Sequence, residues 1–218
     1  MTKTIPEIRI KYAWLLAGEA STVMNEKYGD GTPLRTFEDY EMIVSRYTKW
    51  WSPHNDEILH GLCNILDLEF RQNIIDVNVA PWFNPISDPM VIGPAFRSED
   101  ALVNTITHEL SHRLITDNLA IDYYHDFLAD WKQLFGDNHD WNTLVHIPVH
   151  AVMKKLYLDI LDRPDLLAYD IENTKDNVPY ADAWEYVNSN DYVKIVDSLS
   201  ISKSSWNKTT NPSQNDYI

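Results

Sequence analysis

The sequence predicts a mainly helical α+β fold, and three observations carry this prediction. Most segments of the 218-residue chain have apolar side chains every three or four positions, the spacing of an amphipathic helix. Residues 73–80 instead alternate apolar and polar side chains, as a strand with one buried face does. With 44% hydrophobic residues, the chain can bury a substantial core. We therefore expect one domain over residues 1–199 and a polar, flexible tail over 200–218.

Three helices are expected before the strand. The segments 8–28, 36–50 and 56–70 each carry apolar residues at helical spacing, and stretches containing glycine or proline separate them. A proline-rich turn ends the strand 73–80, and residues 90–93 suit a second short strand. These segments predict a helical platform beside a small sheet.

The residues that organise the chain lie in the next predicted helix, 98–115. Within it, His108 and His112 are four residues apart, so both imidazoles project from the same side. Glu109 directly follows the first histidine, which completes the pattern His-Glu-x-x-His. In this pattern the two histidines hold zinc, and the glutamate acts as general base on a metal-bound water.

The spacing of the motif suits this chemistry. Zinc prefers ligands about 2 Å away in a tetrahedral arrangement, and two histidines one helical turn apart can bind one ion. Glu109 points about 100° round the helix from His108, beside the metal, where it can accept a proton from water. We therefore expect Zn²⁺ as the cofactor, His108 and His112 as metal ligands, and Glu109 as the catalytic residue.

The predicted helix resembles the active-site helix of zincin metallopeptidases. The resemblance implies a zincin-like core with a short β-sheet next to the motif helix, and an edge strand that pairs with an extended peptide substrate. It also implies hydrolysis of peptide bonds by a zinc-bound water that Glu109 activates. Arg113 departs from the zincin pattern, because it places a charge directly after the second histidine. The uncharged residues that fit the pattern are Thr105, Ile106, Leu110, Ser111 and Leu114.

A hydrolytic zinc site needs a third protein ligand and an open position for water. The nearby glycine and third histidine of metzincins are absent after His112. Gluzincin-like peptidases take the third ligand from a later helix, usually as a glutamate. The later segment 141–161 contains no glutamate but offers His146 and His150, again four residues apart.

The choice between these two histidines depends on Pro148. Proline suits the first turn of a helix, which would put His150 inside the helix and His146 just before it. We therefore expect His150 to be the third ligand, with His146 as the alternative.

The remaining segments predict further helices and weaker site candidates. Helices are expected over 120–135, 181–187 and 191–199. Tyr157, one or two helical turns beyond His150, is a candidate to stabilise the oxyanion. Other possible ligands, each weaker than the histidine pair, are His125, Asp126, His139, Asp140 and Glu172.

The composition of the chain limits which binding partners and which cellular locations we expect for the protein. The formal net charge of -15 argues against nucleic acid and anionic membranes as partners, because both need basic surfaces. The single cysteine excludes an internal disulfide, and the N-terminus lacks the apolar core of a signal peptide. We therefore expect a cytoplasmic protein that acts on a peptide or protein substrate, and the sequence does not indicate its oligomeric state.

Two other classes of function stay open at this point. In the first, both His-x-x-x-His pairs close a four-ligand zinc site that has no catalytic role. In the second, the histidines are ordinary core residues of an acidic helical interaction module.

Overall fold

The computed structural model describes residues 3, 5–28, 36–81, 83–118 and 127–206. These residues are mainly helical and include one four-stranded sheet, which confirms the predicted α+β class. None of their helices combines the length and the apolar character that crossing a membrane requires. Two compact units are present: Met1–His60 with Phe70–Arg113, and Gly61–Glu69 with Leu114–Ile218.

The first unit contains a small mixed sheet in the order β1-β2-β4-β3. β1 pairs with β2 in parallel, β2 pairs with β4 in parallel, and β3 runs antiparallel to β4. The alternating burial of β2 and the position of β4 confirm the two predicted strands. The strands are β1 (Glu7–Tyr12), β2 (Ile74–Val79), β3 (Ile86–Ser87) and β4 (Met90–Ile92).

The strand β1 corrects the prediction of one helix over 8–28. Residues 7–12 pair with β2 along their whole length, from Glu7 opposite Ile74 to Tyr12 opposite Val79. The helix α1 (Trp14–Tyr28) begins only after this strand. The local sequence does carry a strand signal, because Ile8, Ile10 and Tyr12 alternate with charged residues; helical spacing applies only to the residues that follow.

Three helices follow in positions close to those predicted: α2 (Phe37–Trp51), α3 (Asn55–Leu66) and α4 (Glu99–Asn118). α3 ends at Leu66, four residues before its predicted end, because the next residue, Asp67, has a left-handed φ of 52° that terminates the helix. Ser98 caps α4, since its Oγ accepts a hydrogen bond from the Ala101 amide at 3.2 Å. α4 carries the His-Glu-x-x-His motif.

The regular elements in the described part of the second unit are all helices. α6 packs against α8 and α9, and a π-helical segment, Leu156–Ile160, continues α6. Part of the predicted helix 120–135 lies outside the described residues, and so do residues 207–218 of the predicted tail. The helices are α5 (Phe127–Phe135), α6 (Trp141–Lys155), α7 (Pro164–Thr174), α8 (Val178–Ser189) and α9 (Tyr192–Trp206).

The bounds of α6 correct the interpretation of Pro148. The helix begins at Trp141, because the Asp140 carboxylate caps it by accepting hydrogen bonds from the Asn142 and Thr143 amides. Pro148 is inside the helix, where it removes one backbone hydrogen bond while its ring is buried in the core. The reason for preferring His150 over His146 therefore fails, because both histidines lie within one helix.

Candidate metal centre

The motif helix brings its two histidines together as predicted. The Nε2 atoms of His108 and His112 are 3.1 Å apart. Zinc–nitrogen bonds of about 2.0–2.1 Å at tetrahedral angles separate two ligand nitrogens by about 3.3 Å. The observed separation therefore fits a shared tetrahedral ion. His108 is buried and His112 is half-buried.

A third histidine joins this pair. The side chains of His108, His112 and His146 each offer one ring nitrogen, and these nitrogens all lie within 4.8 Å of one another. The third member is the alternative ligand His146, from α6. Three imidazoles in this arrangement could hold a metal ion, and imidazole suits zinc, copper, iron and nickel.

The hydrogen bonding of His146 sets its tautomer. The Nδ1 atom lies 2.7 Å from the Asn142 carbonyl oxygen, which can only accept, so Nδ1 carries the hydrogen and donates it. The lone pair that a metal needs is then on Nε2. Burial lowers the pKa of His146, although the bond to Asn142 partly offsets this effect. The ring is therefore neutral near pH 7, which is the form that binds metal.

Glu109 is also buried, with 5% of its surface exposed. Burial raises the pKa of its carboxyl from 4.5 to about 7, because removal from water disfavours the charged form. A nearby divalent cation favours the carboxylate, so this pKa belongs to the metal-free protein. Beside a bound cation the group is therefore a carboxylate, the form that accepts a proton from water.

Arg113 has a structural role that the sequence did not indicate. Its guanidinium donates to the Ser87 carbonyl at 3.0 Å and lies 2.7 Å from the Asp88 carboxylate. Ser87 ends the strand β3, and Asp88 begins the turn into β4. The charge that departs from the zincin pattern therefore attaches α4 to the strand at the edge of the sheet.

Comparison with protein-family models, with curated proteins and with solved structures finds no match. Inferences about function therefore depend on the motif and on the geometry of the three-histidine group.

The other candidate residues have different surroundings. His150 is fully buried, and its ring stacks on Trp184. Tyr157 is fully buried in the π-helical segment. Asp140 caps α6, and exposed Glu172 pairs with Lys175. His139 contacts the ring of Tyr186, whereas His125 and Asp126 lie outside the described residues.

The Asp170 carboxyl, on α7, gives a testable pH dependence. It is buried, it accepts a hydrogen bond from the Trp184 indole at 2.9 Å, and burial raises its pKa from 3.8 to about 6. Because the folded pKa is the higher one, this group stabilises the fold below pH 3.8, and the contribution is lost as pH rises through 6. Between pH 5 and pH 8 the loss amounts to about 1–1.5 kcal/mol.

The measurement is urea unfolding of chelator-treated protein at pH 5 and at pH 8. Asp170→Asn should lose this part of the pH dependence, because the amide oxygen still accepts from Trp184 but does not titrate. An identical change in unfolding free energy for the wild type and the variant would contradict the assignment.

Proposed function

We propose that this protein is a zinc-dependent hydrolase that cleaves peptide bonds. In this proposal His108, His112 and His146 hold the ion, and Glu109 is the general base. The observation that carries it is the approach of three histidine nitrogens to within 4.8 Å, with a buried glutamate directly after the first histidine. Catalytic zinc sites use three protein ligands of this kind and keep the fourth position open.

The composition of the group supports zinc and an open site. All three members are imidazoles, whereas magnesium and calcium prefer oxygen ligands. A structural zinc site has four protein ligands, and the group formed by the described residues has three. Three ligands match the number that a catalytic zinc site takes from the protein.

The chain's own residues then have defined tasks. When bound, zinc supplies a Lewis acid that polarises a carbonyl group and makes water more acidic. Glu109 accepts a proton from the attacking water and passes it to the leaving amine. The hydrogen bond from His146 Nδ1 to the Asn142 carbonyl holds this ring in one orientation. The lone pair on Nε2 stays available for the metal.

A peptide substrate is favoured by the strand β3. This strand is at one edge of the sheet, and Arg113 attaches it to the motif helix. An extended peptide can add to such an edge through backbone hydrogen bonds. The strongly negative net charge disfavours nucleic acid as the alternative substrate.

The proposal predicts a zinc content of one ion per chain and a hydrolysis that depends on it. Protein purified without added zinc is assayed for metal by mass spectrometry and for cleavage of an unfolded, fluorescently labelled protein. We expect cleavage to stop with a chelator and to return with equimolar zinc, because the ion supplies the Lewis acid.

Two results would contradict this expectation in different ways. Failure to bind zinc even when it is supplied would overturn the metal site itself. Stoichiometric zinc without cleavage of the unfolded protein would overturn the peptidase activity and favour a non-catalytic zinc protein.

A further inference from the structure

Helix α8 presents two aromatic rings to the two histidines of α6. Tyr180 and Trp184 are four residues apart, as are His146 and His150, so each pair projects from one side of its helix. The ring centroids of Tyr180 and His146 are 3.9 Å apart, and those of Trp184 and His150 are 4.2 Å apart. Each histidine is therefore closest to a different one of the two aromatic rings.

The contact between His150 and Trp184 holds the imidazole in one plane. The two rings are nearly parallel, with an angle of 9° between them. Both residues are buried, with 0% and 2% of their surfaces exposed. In a close-packed interior, rotation of the imidazole would drive it into the indole, so the stacked orientation is strongly preferred.

The indole is itself held from a third helix. The Trp184 Nε1–H group donates to the Asp170 carboxylate at 2.9 Å, and this bond is buried. Hydrogen bonds are stronger where water is excluded, and loss of one partner leaves a buried polar group unsatisfied. Asp170 on α7 therefore orients Trp184 on α8, which in turn orients His150 on α6.

His150 borders the proposed ligand His146 without belonging to the three-histidine group. The ring centroids of these two histidines are 5.6 Å apart, and Tyr180 lies against both rings. The nitrogens that converge within 4.8 Å come from the other three histidines. His150 is thus a neighbour of the proposed ligand His146, and the orientation of its ring is set by the contact with Trp184.

We infer that His150 is a positioning residue. Asp170 contacts Trp184, and Trp184 contacts His150. Through this series of contacts His150 supports the ring of His146, so that His146 binds the zinc in a fixed orientation. This inference rests on the proposed function, because it assumes that His146 binds the ion. Residues that orient a ligating histidine typically change metal affinity by 10–100-fold when they are altered.

The decisive variant is His150→Phe, which keeps a flat ring against Trp184 but has no nitrogen to bind a metal. We expect it to bind zinc within about threefold of the wild-type affinity, whereas His150→Ala should bind about 10–100-fold more weakly. Affinity is measured by competition with a chromophoric chelator. The visible absorption of the cobalt-substituted protein reports ligand geometry and should be unchanged in His150→Phe and altered in His150→Ala.

Trp184→Phe provides a second, independent test. It removes the bond to Asp170 and should weaken zinc binding by about tenfold. The matched control is Trp131→Phe. Trp131 is equally buried, but it lies on α5 and is not one of the three residues Asp170, Trp184 and His150 whose contacts support His146. The control should keep the wild-type affinity and cobalt spectrum, even if its melting temperature falls.

The outcomes separate this inference from the proposed function. Wild type that binds no zinc would overturn both. Wild type that binds zinc while His150→Phe loses it would overturn the positioning role and make His150 a ligand. If His150→Phe does not fold, equal affinities of Trp184→Phe and Trp131→Phe would overturn the inference.

Discussion

Replacing Glu109 by glutamine should abolish peptide hydrolysis while one zinc ion per chain remains bound. Glutamine has nearly the same shape but cannot accept a proton, and general-base catalysis typically contributes 10²–10⁴-fold to a rate. The three histidines that would hold the ion are untouched by the change. We therefore expect the hydrolysis rate to fall by about 10²–10⁴-fold without loss of metal.

The burial of Glu109 adds a second readout. Burial raises the pKa of this carboxyl to about 7, so a neutral side chain suits its surroundings. The melting temperature of the metal-free Glu109→Gln protein at pH 8 should therefore be no lower than that of the wild type. Stability that is retained while activity is lost would separate a catalytic role from a structural one.

Glu99→Gln is the matched control for this experiment. Glu99 lies in the first turn of the same helix, far from the motif, and its carboxylate accepts a hydrogen bond from His54 Nε2 at 2.8 Å. Its variant should hydrolyse the substrate at the wild-type rate. Undiminished activity of Glu109→Gln would exclude the proposed general base.

Replacing His146 by alanine should remove zinc from the protein. Loss of one of three ligands leaves two imidazoles, and the decrease in affinity should exceed the roughly 100-fold limit for residues that only orient a ligand. His112→Ala should cause a decrease of the same size, because both rings belong to the same group. Zinc content after dialysis and competition with a chelator measure the effect.

The control for this pair of variants is His60→Ala. His60 is an exposed histidine on α3, so its loss should change neither zinc content nor affinity. His146→Ala that keeps its zinc, together with His150→Phe that loses it, would return the role of third ligand to His150.

The motif helix could be predicted because its signals are local. Ser98 provides the cap, and the four-residue spacing of His108 and His112 places their rings on one side of any helix. The strand β2 was equally predictable, since its alternation of buried and half-exposed side chains follows directly from strand geometry. For these elements the sequence by itself determined both the structure and the two-histidine pair.

Other features depend on partners that are distant along the chain. Residues 7–12 become a strand because β2 supplies hydrogen bonds to them, and Arg113 acquires its role from the Ser87 carbonyl and the Asp88 carboxylate. The alternation of Ile8, Ile10 and Tyr12 indicates a strand, but neither its pairing with β2 nor the partners of Arg113 can be recognised from local spacing. These contacts exist only once the chain has folded.

Which histidine of α6 joins His108 and His112 also depends on contacts between distant parts of the chain. The sequence limited the choice to His146 and His150, and Pro148 suggested a later helix start than the one that the Asp140 cap sets. Once α6 begins at Trp141, both rings lie on one helix, and only packing separates them. His146 meets the motif pair, while Trp184 holds His150 by stacking. The spacing of two residues in the sequence decides whether they share one side of a helix. The packing of neighbouring helices decides which of the two joins the histidine group.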